Sequence, residues 1–201
     1  MRILIVKLSS IGDVVHTLPA LAAVKRALPE AEISWAVEER SAEILRNNPL
    51  LSRLIEIDTK SLRRQNVLGK TLKTAKKQLR DLRALEFDLA IDFQGLLKSA
   101  SITRISRAKC TYGFSKRNLR EPASRALTGT SIDVEPQQNI VLKNIELAEK
   151  ALAHFLSRPG FTLDRENLEF PIGTEPADIG EADEIANISG KRFAILNPAG
   201  G

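Results

Sequence analysis

The sequence predicts an α/β fold in which helices cover both faces of a doubly wound, mostly parallel sheet. Strand-like apolar runs alternate with helix-period segments along the whole chain, the pattern of parallel sheets. Several of these runs end in polar or glycine-containing turns just before a helix, the position where open parallel sheets bind ligands.

Taken in order, Arg2-Ile3-Leu4-Ile5-Val6 opens the chain as a strand over 2–7. A helix over 13–28 follows, because Val14, Leu18, Leu21, Val24 and Leu28 recur at spacings of 4, 3, 3 and 4. Pro19 falls inside it and predicts a kink or a later start, and Pro29 ends it. Strands are expected at 33–37 and 54–57, with a short helix at 40–47 between them. Leu68, Leu72, Ala75, Leu79 and Leu82 form the apolar stripe of a long basic helix over 66–85. Phe87-Asp88-Leu89-Ala90-Ile91-Asp92 reads as a buried strand, before a helix at 96–106 and a strand at 109–114. Residues 115–138 are polar and rich in turn residues, which predicts a long functional loop with a short helix near Pro122–Leu127. A helix at 139–156 closes the series.

Residues 1–156 are expected to form one domain, and 157–175, which hold Pro159, Gly160, Pro171 and Gly173, a linker. Residues 176–201 are expected to begin a second domain, with a helix near 178–187 and a strand at Phe193-Ala194-Ile195-Leu196-Asn197. Pro198-Ala199-Gly200-Gly201 is the kind of turn that leads into a helix, so a longer protein cut early in its second domain is expected. The 201 residues, 43% hydrophobic and 27% charged, have an ordinary globular balance with material for a core. The opening strand is too short for a signal peptide, and no run of about 18 apolar residues is present to span a bilayer. The single cysteine, Cys110, excludes an internal disulfide and reads as a small buried hydrophobe.

The net charge of +5 is unevenly placed. Lys60, Arg63, Arg64, Lys70, Lys73, Lys76, Lys77, Arg80 and Arg83 crowd one stretch, and Lys98, Arg104, Arg107, Lys109, Lys116, Arg117, Arg120 and Arg125 another. Most of these read as solvated helix faces, yet such density attracts anions: nucleic acid, an acidic membrane surface or a phosphorylated ligand. The aromatic residues are sparse and sit mostly in apolar runs, so stacking on bases is poorly supported.

Three strand ends could carry chemistry. Lys7-Leu8-Ser9-Ser10-Ile11-Gly12-Asp13-Val14-Val15-His16 places a carboxylate at a helix start. Ser10-x-x-Asp13 fits a capping box as well as a functional acid, and His16 alone reads as a packed residue. Asp92-Phe93-Gln94-Gly95-Leu96-Leu97-Lys98-Ser99 offers Asp92 as a cap, with Gln94 and Lys98 as polar ligand contacts or, for Lys98, plain solvent exposure. The loop of Lys116, Arg117, Arg120, Glu121 and Pro122 suits phosphate or carboxylate recognition, or an internal Arg–Glu pair. The motifs G-x-G-x-x-G, Walker A and G-x-S-x-G are absent, and two His and one Cys far apart make no metal cluster.

Lys7-x-Ser9-Ser10-x-Gly12-Asp13-Val14-x-His16-x-Leu18-Pro19-Ala20 resembles the opening of glycosyltransferase family nine, the ADP-heptose:lipopolysaccharide heptosyltransferases. The resemblance continues through Trp35-x-Val37-Glu38-Glu39, Ile91-Asp92-x-Gln94-Gly95-Leu96-x-Lys98-Ser99-Ala100 and Arg120-Glu121-Pro122, covering nearly all of 1–150. The Ser-Ser-x-Gly-Asp-Val form is similar to the branch that adds the first heptose. The resemblance implies a GT-B architecture, two Rossmann-like domains facing across a cleft, of which this chain holds the acceptor-binding first. It implies inverting transfer of L-glycero-D-manno-heptose from ADP-heptose to the Kdo of Kdo2-lipid A, with ADP-heptose as substrate and neither cofactor nor metal. Asp13 then matches the catalytic base. Ser10, Gly12, Arg63, Arg64, Gln94, Lys98, Arg120 and Asn139 match acceptor-side positions, and Asn197, Gly200 and Gly201 begin the donor side. Asn139 stands where the family often has His, and Lys143 where some members have Arg. A peripheral place on the cytoplasmic face of the anionic inner membrane follows, with the basic helix of 66–85 resting on it. Three rivals remain: a second-heptose enzyme with a different acceptor, a non-catalytic Rossmann-type anion-binding module, and nucleic-acid binding through the basic helix.

Overall fold

In the computed structural model the strands among the described residues are β1 (Arg2–Val6), β2 (Glu32–Glu38), β3 (Arg53–Ile57), β4 (Leu89–Asp92), β5 (Cys110–Phe114) and β6 (Thr130–Ile132). The structure describes residues 1–57, 80–119 and 121–173. Among these, the helices are α1 (Ile11–Val15), α2 (Leu18–Ala27), α3 (Leu97–Ile105) and α4 (Ile140–Phe155), and residues 80–84 are also helical. All strand pairs are parallel, in the order β3-β2-β1-β4-β5-β6. The chain winds outward from β1 to β3, then returns to place β4 on the other side of β1. That reversal makes a crevice at the carboxyl ends of β1 and β4, where Val6 is level with Asp92.

Both faces of the sheet are covered, which explains why its strands read as continuous apolar runs. Ile3, Ile5, Ile33, Trp35 and Ile91 face one core with Leu21 and Val24 of α2 and Leu147, Ala151 and Leu152 of α4. Leu4, Val6, Ala36 and Ala90 face the other, with Leu82 and with Ile102 of α3. The alternation along β1 is the two-residue period of a strand. Near the end of α4, His154 Nδ1 lies 2.8 Å from the hydroxyl of buried Tyr112 on β5.

Several expectations need correction. The helix expected over 13–28 is two helices, broken at His16 and Thr17. Pro19 has no N–H to donate and sits in the first turn of α2, where none is needed. The short helix expected at 40–47 is two 3-10 turns, Glu39–Ser41 and Glu43–Leu45, ended by Asn47 at φ 54. The long loop expected at 115–138 contains β6, whose three residues pair with Tyr112–Phe114 and are too few to show a period. It also holds 3-10 turns at Lys116–Asn118 and Pro122–Leu127, the second where a short helix was expected. Most of the basic helix expected over 66–85, and the helix and strand expected at 178–187 and 193–197, lie outside the described residues. Residues 157–173 contact α4 and the stretch before β3. Leu163 is buried and its N–H donates to Glu149 at 2.8 Å, while Asn48 donates to the Pro171 carbonyl at 2.8 Å.

Candidate active site

A cleft of about 440 Å³ opens at the carboxyl end of the sheet. Lys7, after β1, and Phe93 and Gln94, after β4, line it together with Phe114 and Asn118 of the β5 end. Asp13 and His16 come from α1 and its end, and Ile140 and Lys143 from the first turn of α4. An acid, an imidazole and two ammonium groups thus share one hollow at the reversal of strand order.

Asp13 is half-buried, and its Oδ2 accepts the Ser10 N–H at 3.2 Å. The carboxylate therefore makes half of the expected capping box and still lines the cleft, so the capping and functional readings of this residue are compatible. A carboxylate is favoured at this end of a helix. Ser10 and Gly12 are exposed beside it. A Cβ at Gly12 would meet nothing within 4 Å, so packing does not explain the glycine. The Ser9–Ser10 peptide is cis. His16, expected to be packed, is exposed in the cleft.

Gln94 lines the cleft but spends its amide on the neighbouring loop. Its Oε1 accepts Leu8 N–H at 2.7 Å and its Nε2 donates to Ser9 O at 2.7 Å. Lys7 is buried to 4% exposure, with Nζ donating to Phe93 O at 3.0 Å, and Trp35 Nε1 donates to Lys7 O at 3.1 Å. Beneath them Asp92 is 1% exposed and accepts from Gln94 N at 2.9 Å, Gly95 N at 3.1 Å and Ser99 Oγ at 2.9 Å. Burial pushes its carboxyl above the ordinary value, against those three donors and the Lys7 charge. Asp92 is thus the brace of the β4 turn, and Asp13 is the carboxylate that meets the cleft.

The other expected residues are divided. Lys98 bridges to Glu38, a carboxylate buried at the end of β2 that also pairs with Arg40 at 2.8 Å. Asn139 caps α4, its Oδ1 accepting Leu142 N–H at 3.0 Å. The basic loop forms no Arg–Glu pair among its described residues. Arg117 instead meets Asp133 at 3.1 Å, and Glu121 accepts the N–H of Leu97 at the start of α3 at 2.8 Å. Arg63, Arg64, Arg120, Asn197, Gly200 and Gly201 lie outside the described residues.

Lys143, noted in the sequence only as a departure from the Arg of some family members, and His16, read there as packed, both line the cleft, and a spacing signal exists for both. His16 is three residues after Asp13 and Lys143 three after Ile140, so each pair shares a helix face. Among the described residues, no group of three or more His, Cys, Asp or Glu is placed to hold a metal ion, and no helix is long and apolar enough to cross a membrane. Chemically, the cleft can take a proton from a bound alcohol at Asp13 while Lys143 attracts an anionic group nearby.

Comparison with known proteins places the chain in a family and a fold. The model of glycosyltransferase family 9 (heptosyltransferase) matches residues 75–192. Lipopolysaccharide heptosyltransferase 1 of Pseudomonas aeruginosa is 37% identical over 172 residues, 84% of this chain and 48% of that protein. The Escherichia coli K12 protein of the same name is 34% identical over 183 residues, 90% of this chain and 56% of its own. Among solved structures, E. coli heptosyltransferase WaaC with ADP-2-deoxy-2-fluoro heptose superposes with a TM-score of 0.75 at 32% identity, over 85% of this chain and 52% of that one. E. coli ADP-heptose LPS heptosyltransferase II, at 18% identity and TM-score 0.64, shares the fold over 94% of this chain and 50% of its own. The chain spans about half the length of the curated relatives it matches.

Proposed function

This chain belongs to glycosyltransferase family 9, the heptosyltransferase family, and from that premise we propose that it is the acceptor-side half of an inverting enzyme moving L-glycero-D-manno-heptose from ADP-heptose to the Kdo of Kdo2-lipid A. The observation that carries the proposal is the half-buried Asp13 carboxylate on the wall of the cleft at the strand-order reversal, a cleft that Lys7 and Lys143 also line. A Kdo hydroxyl oxygen attacks the anomeric carbon as the bond from that carbon to ADP breaks. Asp13 takes the hydroxyl proton, and ADP carries away the electron pair. A carboxylate is a weak base for a sugar alcohol, so proton transfer is late, and much of the rate comes from positioning and leaving-group stabilisation. No metal or cofactor is needed for those steps.

The acceptor's chemistry fits the surroundings. Kdo carries a carboxylate and lipid A carries phosphates, which gives Lys143, and by resemblance Arg63, Arg64 and Arg120, a reason to face it. Ile11, Leu97 and Ile140 stand exposed at the first positions of α1, α3 and α4, on the same edge as the cleft. Such an apolar rim suits a glycolipid held at the cytoplasmic face of an anionic bilayer, with the protein peripheral to it. Asn197, Gly200 and Gly201 would begin the donor side. The ADP-2-deoxy-2-fluoro heptose in the WaaC structure supports an ADP-sugar donor. The curated relatives, named heptosyltransferase 1, support transfer of the first heptose over the second.

The test is turnover by the full-length protein with ADP-heptose and either Kdo2-lipid A or the same acceptor already carrying one heptose. Transfer to the first acceptor only is expected, and preference for the second would replace the proposal with the second-heptose reading. Asp13→Asn should cut turnover by about 100- to 10,000-fold. Unchanged turnover with altered ligand binding would instead point to an anion-binding module.

A further inference from the structure

We infer that Asn144 is a positioning residue which, through Thr17, fixes the Asp13 carboxylate relative to α4 and its Lys143. The inference rests on the reading of Asp13 as the base. Asn144 is fully buried on α4. Its Nδ2 donates to His16 O at 3.0 Å and to Thr17 Oγ1 at 3.0 Å. The Thr17 hydroxyl in turn donates to Asp13 O at 2.9 Å, and Thr17 is itself fully buried. One amide therefore reaches the backbone of Asp13 through one hydroxyl, and the end of its helix directly.

Short helices cannot hold themselves. α1 has five residues, one of them Gly12, and follows a loop anchored on Gln94. A helix of that length is unstable alone, and its last carbonyls lack intrahelical partners. The backbone N–H groups of His16 and Thr17 fill those of Gly12 and Val14, at 2.9 Å each. The carbonyls of Asp13 and His16 are filled by the Thr17 and Asn144 side chains. At its other end the tether is rigid, because Asn144 lies in the sixteen-residue α4 beside Lys143, which lines the cleft. This contact fixes α1, which carries the acid, against α4, which carries the cation.

Folding alone does not call for asparagine here. Asn144 Oδ1 is buried with no hydrogen-bond partner, a penalty that leucine, of similar shape, avoids. What asparagine adds is the pair of donors to α1. Activity and stability should therefore separate at this position.

The experiment measures kcat and acceptor KM with ADP-heptose and Kdo2-lipid A, together with the melting temperature, for Asn144→Leu, Thr17→Val, Thr17→Ser and the Leu/Val double variant of the full-length protein. Misplacing a catalytic group by about 1 Å costs about 100-fold. A loss of that order in kcat is expected for Asn144→Leu and Thr17→Val with KM nearly unchanged, read at a temperature where every variant is folded. Thr17→Val also takes a partner from the Asp13 carbonyl and from Asn144, and so lowers the melting temperature. Thr17→Ser, which keeps the hydroxyl, should restore wild-type kcat, and the double variant should be no worse than either single one because both cut the same tether. Wild-type kcat in Thr17→Val, kcat losses that disappear at temperatures where the variant is fully folded, or a Thr17→Ser variant as slow as Thr17→Val would overturn the inference. Should Asn144→Leu not fold, Thr17→Val and Thr17→Ser decide alone. Asp13→Asn in the same assay separates the two levels. If it is slow while Thr17→Val is fast, only the tether fails. If it keeps wild-type turnover, the base assignment fails first.

Discussion

The amide oxygen of Gln94 stands 2.7 Å from the backbone nitrogen of Leu8, so the turn after β4 holds the turn after β1. The same amide donates to Ser9 O at 2.7 Å, and the backbone N–H of Gln94 is held by Asp92 at 2.9 Å. The loop that presents Asp13 is therefore built on a buried carboxylate in the next strand.

Gln94→Glu tests that construction. The new carboxylate keeps an acceptor for Leu8 but turns a second acceptor toward the Ser9 carbonyl, in a residue only 8% exposed. Losing a buried bond and leaving the Ser9 oxygen unpaired costs about 1–3 kcal/mol. Urea unfolding should show that loss. Unchanged stability would mean that Gln94 is free to serve a ligand instead.

Lys98 is expected to matter for stability as well as for any ligand. Its partner Glu38 is nearly buried, with 7% of its side chain exposed, whereas 40% of the Lys98 side chain is exposed. Lys98→Met leaves Glu38 with Arg40 but one fewer cation, a loss of about 1 kcal/mol after solvent screening. Adding Glu38→Gln should recover most of it, and the double-mutant cycle measures the coupling. A Lys98→Met variant with wild-type stability and weaker acceptor binding would show the ion pair to be incidental.

Two glycines near the cleft should respond in opposite ways to alanine. Gly95 has φ +68, and a Cβ there would stand 2.8 Å from Leu119 Cδ2. Gly95→Ala should therefore destabilise the fold by more than about 1 kcal/mol. Gly12 lies in α1 with open space around it, so Gly12→Ala should raise stability by up to about 1 kcal/mol. Its methyl group would enter open space at the residue before Asp13, and acceptor KM should rise where the acceptor covers that space. Calorimetry and acceptor titration read the two effects separately, and a stabilised variant with unchanged KM would remove Gly12 from the acceptor side.

The sheet was legible because burial on both faces writes itself as unbroken apolar runs, Ile3 to Val6 and Leu89 to Ile91. The carboxylates were not separable in the same way. Asp13 and Asp92 both follow a strand and precede a helix, and only depth tells them apart, since Asp92 is 1% exposed under three donors and Asp13 opens on the cleft. His16 was misread for a related reason. Helical spacing shows which residues share a face but not that the face borders a cavity. β6 carries too few residues for a period, and the Asn144–Thr17 bond joins positions 127 residues apart, which no local pattern records.

Acid should unfold the protein through a few identifiable carboxyls. Asp88 is held below its ordinary value by the Lys109 ammonium and the Arg2 N–H. Burial would raise Glu146, but Lys150, the Glu135 N–H and Gln138 outweigh it and hold it low. Asp164 is held down to about 2 by the Asn167 side chain and the Asn167 and Glu166 N–H groups. For each, the folded value lies below the unfolded one, so the unfolded chain binds more protons in that interval. Their stabilisation is complete above the unfolded carboxyl range of about 4 and is lost as pH falls through the folded values. Asp92 works in the opposite sense. Its raised value favours the protonated folded state at low pH, and that contribution fades as pH rises. The melting temperature should thus decline from about pH 4 to about pH 2, the interval between the unfolded carboxyls and Asp164. Asp164→Asn should flatten the lowest part of that decline, because the titrating group is gone. An acid limb identical to wild type would show that the turn at Asp164–Asn167 persists in the unfolded chain.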